Sequence, residues 1–128
     1  MKARDFRREL AESSDLNARV MEFIHALFTF AGQSAACNRL HTHVQRCARW
    51  LLTTHDRVDS DRVGLTQEFL AQMLGARRAS VTEAASVLQQ AGAISYTRGE
   101  ILIRDRELLE SYSCECYRVI AEVFAELY

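Results

Sequence analysis

Residues Thr66 to Gly92, TQEFLAQMLGARRASVTEAASVLQQAG, spell two short amphipathic helices with a glycine between them, and few folds accommodate that arrangement. Helices that cross steeply at a short turn need small or apolar residues where they touch. Leu70 and Leu74 lie one turn apart on the inner face of the first helix, and Ala71 lets the second approach. Gly75 takes the turn, at a place that calls for positive φ, which only glycine adopts without steric cost. The second helix spans Arg77 to Ala91, with Val81, Ala84, Val87, Leu88 and Ala91 as its core stripe. Arg78, Ser80, Thr82, Glu83 and Gln89 are left for its other faces. Arg77 and Arg78 oppose the helix dipole at a cost of about 0.3–1 kcal/mol each. A bound phosphate would offset that cost, since free amides and guanidinium groups both donate to it. A surface helix pair in any α-helical protein reads the same way up to this point.

The next segment decides between them. Gly92 is placed to end the second helix, and AISYTRGEILIRD reads as a β-hairpin. Ile94 and Tyr96 alternate on one strand and Ile101 and Ile103 on the other, with Thr97, Arg98, Gly99 and Glu100 as the turn. Arg98 sits at the tip, where it either reaches a phosphate or is simply solvated. Helix, turn, helix and wing together predict a mainly α winged helix-turn-helix, a three-helix core with a small hairpin.

The run from Cys37 to about Ile120 resembles the C-terminal half of the Crp/Fnr family of bacterial transcription regulators. The resemblance rests on CNRLHTHVQRCARWLL before the reading pair, on LTQEFLAQMLGARRASVTEAASVLQQAG, and on ISYTRGEILIRD as the wing. CECYRVI is similar to the tail of one subgroup. The resemblance implies a homodimer that places one recognition helix per subunit in successive major grooves of palindromic double-stranded DNA. Thr66 and Gln67 fall where the family contacts phosphate, Arg78 on its main base-reading arginine, and Ser80 on a backbone-contacting hydroxyl with Thr82 close by. A bidentate contact from Arg78 to guanine would be worth about 1–3 kcal/mol of discrimination. Two positions depart from the best-known member: Ala79 replaces a base-reading glutamate, and Glu83 replaces a second arginine. Ala79 can at most touch a thymine methyl, and Glu83 either accepts from cytosine N4 or pairs with an arginine. The half-site therefore does not transfer.

Ahead of the reading pair, Leu16, Val20, Phe23, Leu27 and Phe30 recur in steps of four and three, a heptad stripe. A second stripe, Met21, Ile24, Phe28 and Ala31, widens the apolar face beyond a coiled-coil seam. The resemblance makes the long helix a dimer axis, whose other side packs on a preceding ligand-sensing β-roll that this sequence does not include. The alternative is that both stripes bury against the chain's own winged helix. A short helix around Phe6 and Leu10 ends near Ser13, and Ser14 is expected to cap the long helix. The expected division is residues 1–36 as dimerisation arm and 37–128 as winged helix, hinged near Ala36 and Cys37. The VDSDRVG segment reads as a linker. Leu108, Tyr112, Cys116, Val119, Val123 and Leu127 predict one final amphipathic helix, docked on the rest of the chain or offering a surface to RNA polymerase. Tyr117, Phe124 and Tyr128 are expected to complete its packing.

With 128 residues, 48% of them apolar and none of them proline, the chain can build one small core with long unbroken helices. It has no run of about 18 apolar residues and no signal-peptide pattern, so a cytoplasmic, membrane-free protein is expected. The net charge of −1 is low for a nucleic-acid binder, yet it is unevenly spread. Arg39, Arg46, Arg49 and Arg57 precede the reading pair, whereas Asp105, Glu107, Glu110, Glu115, Glu122 and Glu126 crowd the end. The four cysteines read as reduced thiols. Cys114 and Cys116, two apart on the expected final helix, should point in different directions, as should His41 and His43, so neither a metal nor an iron–sulfur cluster is expected. His25 and His55 read as packing or surface residues. No cofactor is implied. Without a phosphate-cradling glycine loop, an HExxH or a nucleophile with its base, an enzyme is the least supported class. The rival to a DNA reader is an interaction module that dimerises and sequesters partners without binding DNA.

Overall fold

The computed structural model describes residues 1–58, 60–97 and 99–127. Along the chain run α1 (Ala3–Glu12), α2 (Ser14–Leu40), α3 (His43–His55), β1 (Arg62–Gly64), α4 (Gln67–Leu74), α5 (Arg78–Gln90), β2 (Ile94–Thr97), β3 (Glu100–Ile103), α6 (Arg106–Ser111) and α7 (Cys116–Ala125). Helices α3, α4 and α5 form the three-helix core of a winged helix, and the strands form its wing.

Local chemistry sets the boundaries of α2. Ser13, not Ser14, caps it, its hydroxyl accepting from the Leu16 amide at 3.2 Å. The helix runs through Ala36 and Cys37 without a break, and the chain turns at His41–Thr42 instead. The new turn is specified by Thr42. Its hydroxyl accepts from the Gln45 amide, and the Gln45 side chain accepts from the Thr42 amide, a reciprocal cap that starts α3.

Cys47, Ala48, Leu51 and Leu52 of α3 are buried against Leu70, Leu74, Val81, Ala84 and Leu88 of the reading pair. The stripe on α5 is Val81, Ala84, Ala85 and Leu88. Val87, expected inside, is 42% exposed. It lies about 100° round the helix from Leu88, beyond the edge of the buried arc, and Ala85 takes its place. Two arginines of α3 are buried as well, Arg46 at 6% exposure and Arg49 at 3%. Arg46 donates to the carbonyl of Leu74, so the end of α4 is held by a side chain of α3.

The wing has the register expected of it, Ile94 opposite Ile103 and Tyr96 opposite Ile101. It gains a third strand from the segment read as a linker: β1 pairs antiparallel with β3, giving the order β1-β3-β2. Val63, on the inward side of β1, joins the core. A three-residue strand within a charged, turn-rich stretch carries too short an alternation to be read from sequence.

The single final helix is interrupted. Asp105 caps α6 by accepting from the Leu108 amide, and the hydroxyls of Ser111 and Ser113 donate back to the carbonyls of Leu108 and Glu110. Such bonds offer the backbone an alternative to helix, and the chain resumes helix only at Cys116. Ile120 of α7 is buried, Phe30 of α2 meets Phe124 edge to face at 6.1 Å, and the Tyr117 hydroxyl bonds to Asp56. The apolar edge of α7 is thus docked on α2 and α3. Tyr128 lies outside the described residues.

Candidate nucleic-acid interface

Thr66 caps α4, accepting from the Phe69 amide at 3.2 Å, and so sits at the outer end of that helix. Gly75 ends α4 in the left-handed region at φ 55°, as its place in the turn required. This sends the chain directly into α5, which starts at Arg78 after the extended residue Arg77. Gly92, at φ 88°, closes α5 and turns the chain into the wing.

The two helices of the pair are also joined through their polar faces. The Thr82 hydroxyl lies 3.0 Å from Gln67 Oε1 and 3.0 Å from the Arg78 carbonyl. Gln67 thus has its carbonyl oxygen engaged and keeps its amide N–H groups to donate. The wing turn closes on the same place: Gly99 (φ 82°) lies so near that a Cβ built on it would be 4.0 Å from Thr66 Cγ2. At the far end of α5, Gln89 accepts from the Tyr96 amide at 2.7 Å and ties the reading helix to β2. Sequence reasoning left Gln89 for an outer face; its partner, the backbone of an adjacent strand, carries no sequence signal.

Thr66, Gln67, Thr82, Gly99 and the start of α5 therefore form one surface. Arg77, Arg78, Ala79, Thr82 and Glu83 are exposed on it, and Ser80 is half-buried. Arg98 lies outside the described residues. None of the ion pairs of the described residues involves Arg77, Arg78 or Glu83. The basic stretch ahead of the pair contributes less than its composition suggested. Arg46 and Arg49 are in the core, and the Arg57 guanidinium lies 4.5 Å from the Phe124 ring centre. Arg62 and Arg106 are paired with Glu100 and Asp56. Exposed arginines outside the ion pairs of the described residues stand at the N-terminus of α5, Arg77 and Arg78, where the helix dipole adds to their charge, and also at Arg39 and Arg104.

The dimerisation stripe is divided by the structure. Leu16, Val20 and Phe30 are half-buried, and Phe23, Leu27 and Phe30 line a groove of about 950 Å³ shared with Trp50, Ile120 and Phe124. The more open row is the second one: Met21 is 58% exposed, Ile24 50% and Phe28 81%.

One group that sequence reasoning kept apart falls together. Cys114 lies outside any helix, two residues before Cys116, the first residue of α7, so the divergence expected of two residues within one helix does not apply. Cys37 and His41, one turn apart at the end of α2, meet them, and the potential ligand atoms of all four lie within 4.8 Å of one another. His43 takes no part. Cys47 is separate, alone in the main core, where burial pushes its thiol up to about 12.

Comparison with known proteins accords with this architecture. The Crp-like helix-turn-helix domain matches residues 45–112, more than half of the chain. A solved structure assigned to the Crp/Fnr family of transcriptional regulators, from Eubacterium rectale ATCC 33656, superposes with a TM-score of 0.66 at 22% identity, covering 86% of this chain and 51% of that one. The Thermus thermophilus catabolite activator protein superposes with a TM-score of 0.52 at 19% identity, covering 92% of this chain and 47% of that one. At such identities the likeness speaks to the fold alone, and the chain spans about half the length of these relatives. No curated protein matches the chain. Among the described residues no helix is long and apolar enough to cross a membrane. With its wing, its glycine-hinged helix pair and a match that spans both, the chain belongs to the Crp-like helix-turn-helix domain family.

Proposed function

We propose that this chain binds a two-fold-related DNA site as a homodimer and reads it with α5. The observation that carries the reading is the pair of exposed arginines at the start of α5, outside every ion pair described, on the surface where α4 and the wing turn converge. Arg78 is the principal base reader, bidentate to guanine O6 and N7. Thr66, Gln67, Arg77, Ser80, Thr82 and Arg98 position the phosphate backbone, and Glu83 faces the groove edge. The two copies associate through α2, with Leu16, Val20, Phe23, Leu27 and Phe30 on one flank of the seam and Met21, Ile24 and Phe28 completing it. Residues 1–36 then serve as the dimerising arm and 37–128 as the reading head, at work in the cytoplasm where the DNA is.

A second reading is favoured by the burial of Arg46 and Arg49, which thins the basic face, and by the open apolar row on α2. In it the chain dimerises and sequesters partners without touching DNA. One experiment separates the two: selection from a randomised duplex pool at two salt concentrations, wild type beside Arg78→Ala, with the mass of the complex recorded. A palindrome enriched by a dimer and lost in the variant is the outcome expected. A folded dimer that enriches nothing at either salt leaves the sequestering module as the better account.

A further inference from the structure

Cys37, Cys114 and Cys116 form a buried cluster of their own, apart from the main core and made of nothing but cysteines. Packing alone does not ask for that composition, since alanine or valine would fill the space without the chemistry. The Cys37 and Cys114 sulfurs are 3.6 Å apart, and His41 Nδ1 is 3.6 Å from the sulfur of Cys116. A tetrahedral ion with metal–sulfur bonds of about 2.3 Å and a metal–nitrogen bond of about 2.0–2.1 Å holds its ligands roughly 3.5–3.8 Å from one another. The two measured edges have that length, and the remaining separations stay within 4.8 Å.

The surroundings fit the same purpose. His41 Nε2 is 3.2 Å from a carboxylate oxygen of Glu115, which turns Nδ1 toward the sulfurs. A carboxylate behind a ligating imidazole is the usual outer partner of such a ligand. Gln33 Nε2 donates to the Cys116 sulfur at 3.2 Å, a bond that gains strength when the sulfur is a thiolate. A disulfide between Cys37 and Cys114 would explain neither the third cysteine nor the oriented histidine. The sulfurs are also too close together for separate irons of a cluster, whose terminal bonds point outward and splay their thiolates apart.

We propose that Cys37, His41, Cys114 and Cys116 bind one zinc-class divalent cation in a closed Cys3His site. Four protein ligands leave no open position for water or substrate, so the role is structural. The ion fastens the last turn of α2 to the segment between α6 and α7, beside the bend at His41–Thr42, and so fixes the direction in which the long helix leaves the winged helix.

The test uses the 128-residue chain, purified without chelator and then stripped and reloaded anaerobically with cobalt(II). Elemental analysis is expected to give one zinc per chain. Cobalt is expected to give the intense visible bands and thiolate charge-transfer absorption of a tetrahedral site, bleached by one equivalent of zinc. Cys116→Ser and His41→Ala abolish the signature. His41→Cys restores a shifted one, Glu115→Gln weakens binding by about 10- to 100-fold, and Cys47→Ser leaves it unchanged. The proposal is overturned by a chain that circular dichroism shows folded yet gives neither bound zinc nor the cobalt spectrum, whether or not a Cys37–Cys114 disulfide is found by mass. Uptake lost equally in Cys47→Ser, or iron accompanied by acid-labile sulfide, overturns it as well. No readout here involves DNA, so the site stands or falls independently of the proposed reading.

Discussion

The two arginines at the head of α5 are neighbours in sequence but have different duties in the proposed complex. Arg78→Ala is expected to relax preference at one base pair of each half-site, at about 1–3 kcal/mol. Arg77→Ala is expected to weaken all sequences alike and to reduce the slope of log affinity against log salt by about 1 per chain. Titrations of selected and scrambled duplexes over a salt series separate the two, and equal loss of preference in both variants would contradict the assignment. Gly75 makes a prediction about the fold. A Cβ there meets nothing within 4 Å, so the cost of Gly75→Ala is the left-handed backbone alone, about 1–2 kcal/mol, with Gly75→Asn milder. Urea unfolding of the three proteins checks the order. Burial that pushes Cys47 up to about 12 also leaves its thiol inert: at pH 8 iodoacetamide is expected to label it only after unfolding, as mass spectrometry would read.

At the scale of elements, what was legible in the sequence is what repeats or punctuates. Helices α4 and α5, the Gly75 hinge, the Gly92 stop and the hairpin pairing of Ile94 with Ile103 all follow from periodicity and glycine placement. Features that depend on one residue finding a distant partner were not legible. Strand β1 exists because β3 offers it an edge, and α6 separates from α7 because two serines return to their own backbone. The residues of the proposed metal site lie more than seventy positions apart in sequence, and the expectation that Cys114 and Cys116 diverge assumed one continuous final helix. Within α2, the open row makes its own prediction. Phe28 is 81% exposed in the single chain, so Phe28→Ser leaves the unfolding midpoint of the isolated subunit nearly unchanged while weakening association. Phe30→Ala, which removes the contact with Phe124 as well as a flank of the proposed seam, lowers subunit stability too. Sedimentation and urea titration of both variants test the division, and the reverse pattern would reassign the two rows.

For the molecule as a whole, acids whose pKa is raised by burial set an alkaline limit to its stability. Cys47 is raised by burial from 9.0 to about 12, and Tyr117 is raised from 10.0 to about 12 by burial and then by the charge of Asp56. Both are acids whose folded pKa lies above the unfolded one. Their neutral forms are therefore favoured in the folded state, and the associated stability is complete below about pH 9 and lost as pH climbs toward 12. The urea midpoint is expected to hold level from pH 7 to 9 and to fall beyond it, less steeply in Cys47→Ala; a midpoint that rises between pH 9 and 11 would refute this.

The unbroken course of α2 from Ser14 to Leu40 has a consequence for phase. A helix advances about 100° with each residue, so the open apolar row and the head beyond His41 are indexed to one another like marks on a single screw thread. Inserting one residue after Ala31 would rotate the row by about 100° against the head and break the contact of Phe30 with Phe124, aiming the two heads of the proposed dimer away from a shared duplex. Inserting seven would return the row to within about 20° of its starting angle, at the cost of roughly 10 Å of added length. In the proposed dimer, spacing between half-sites, as much as their sequence, is therefore set by the number of residues between Phe28 and Cys37.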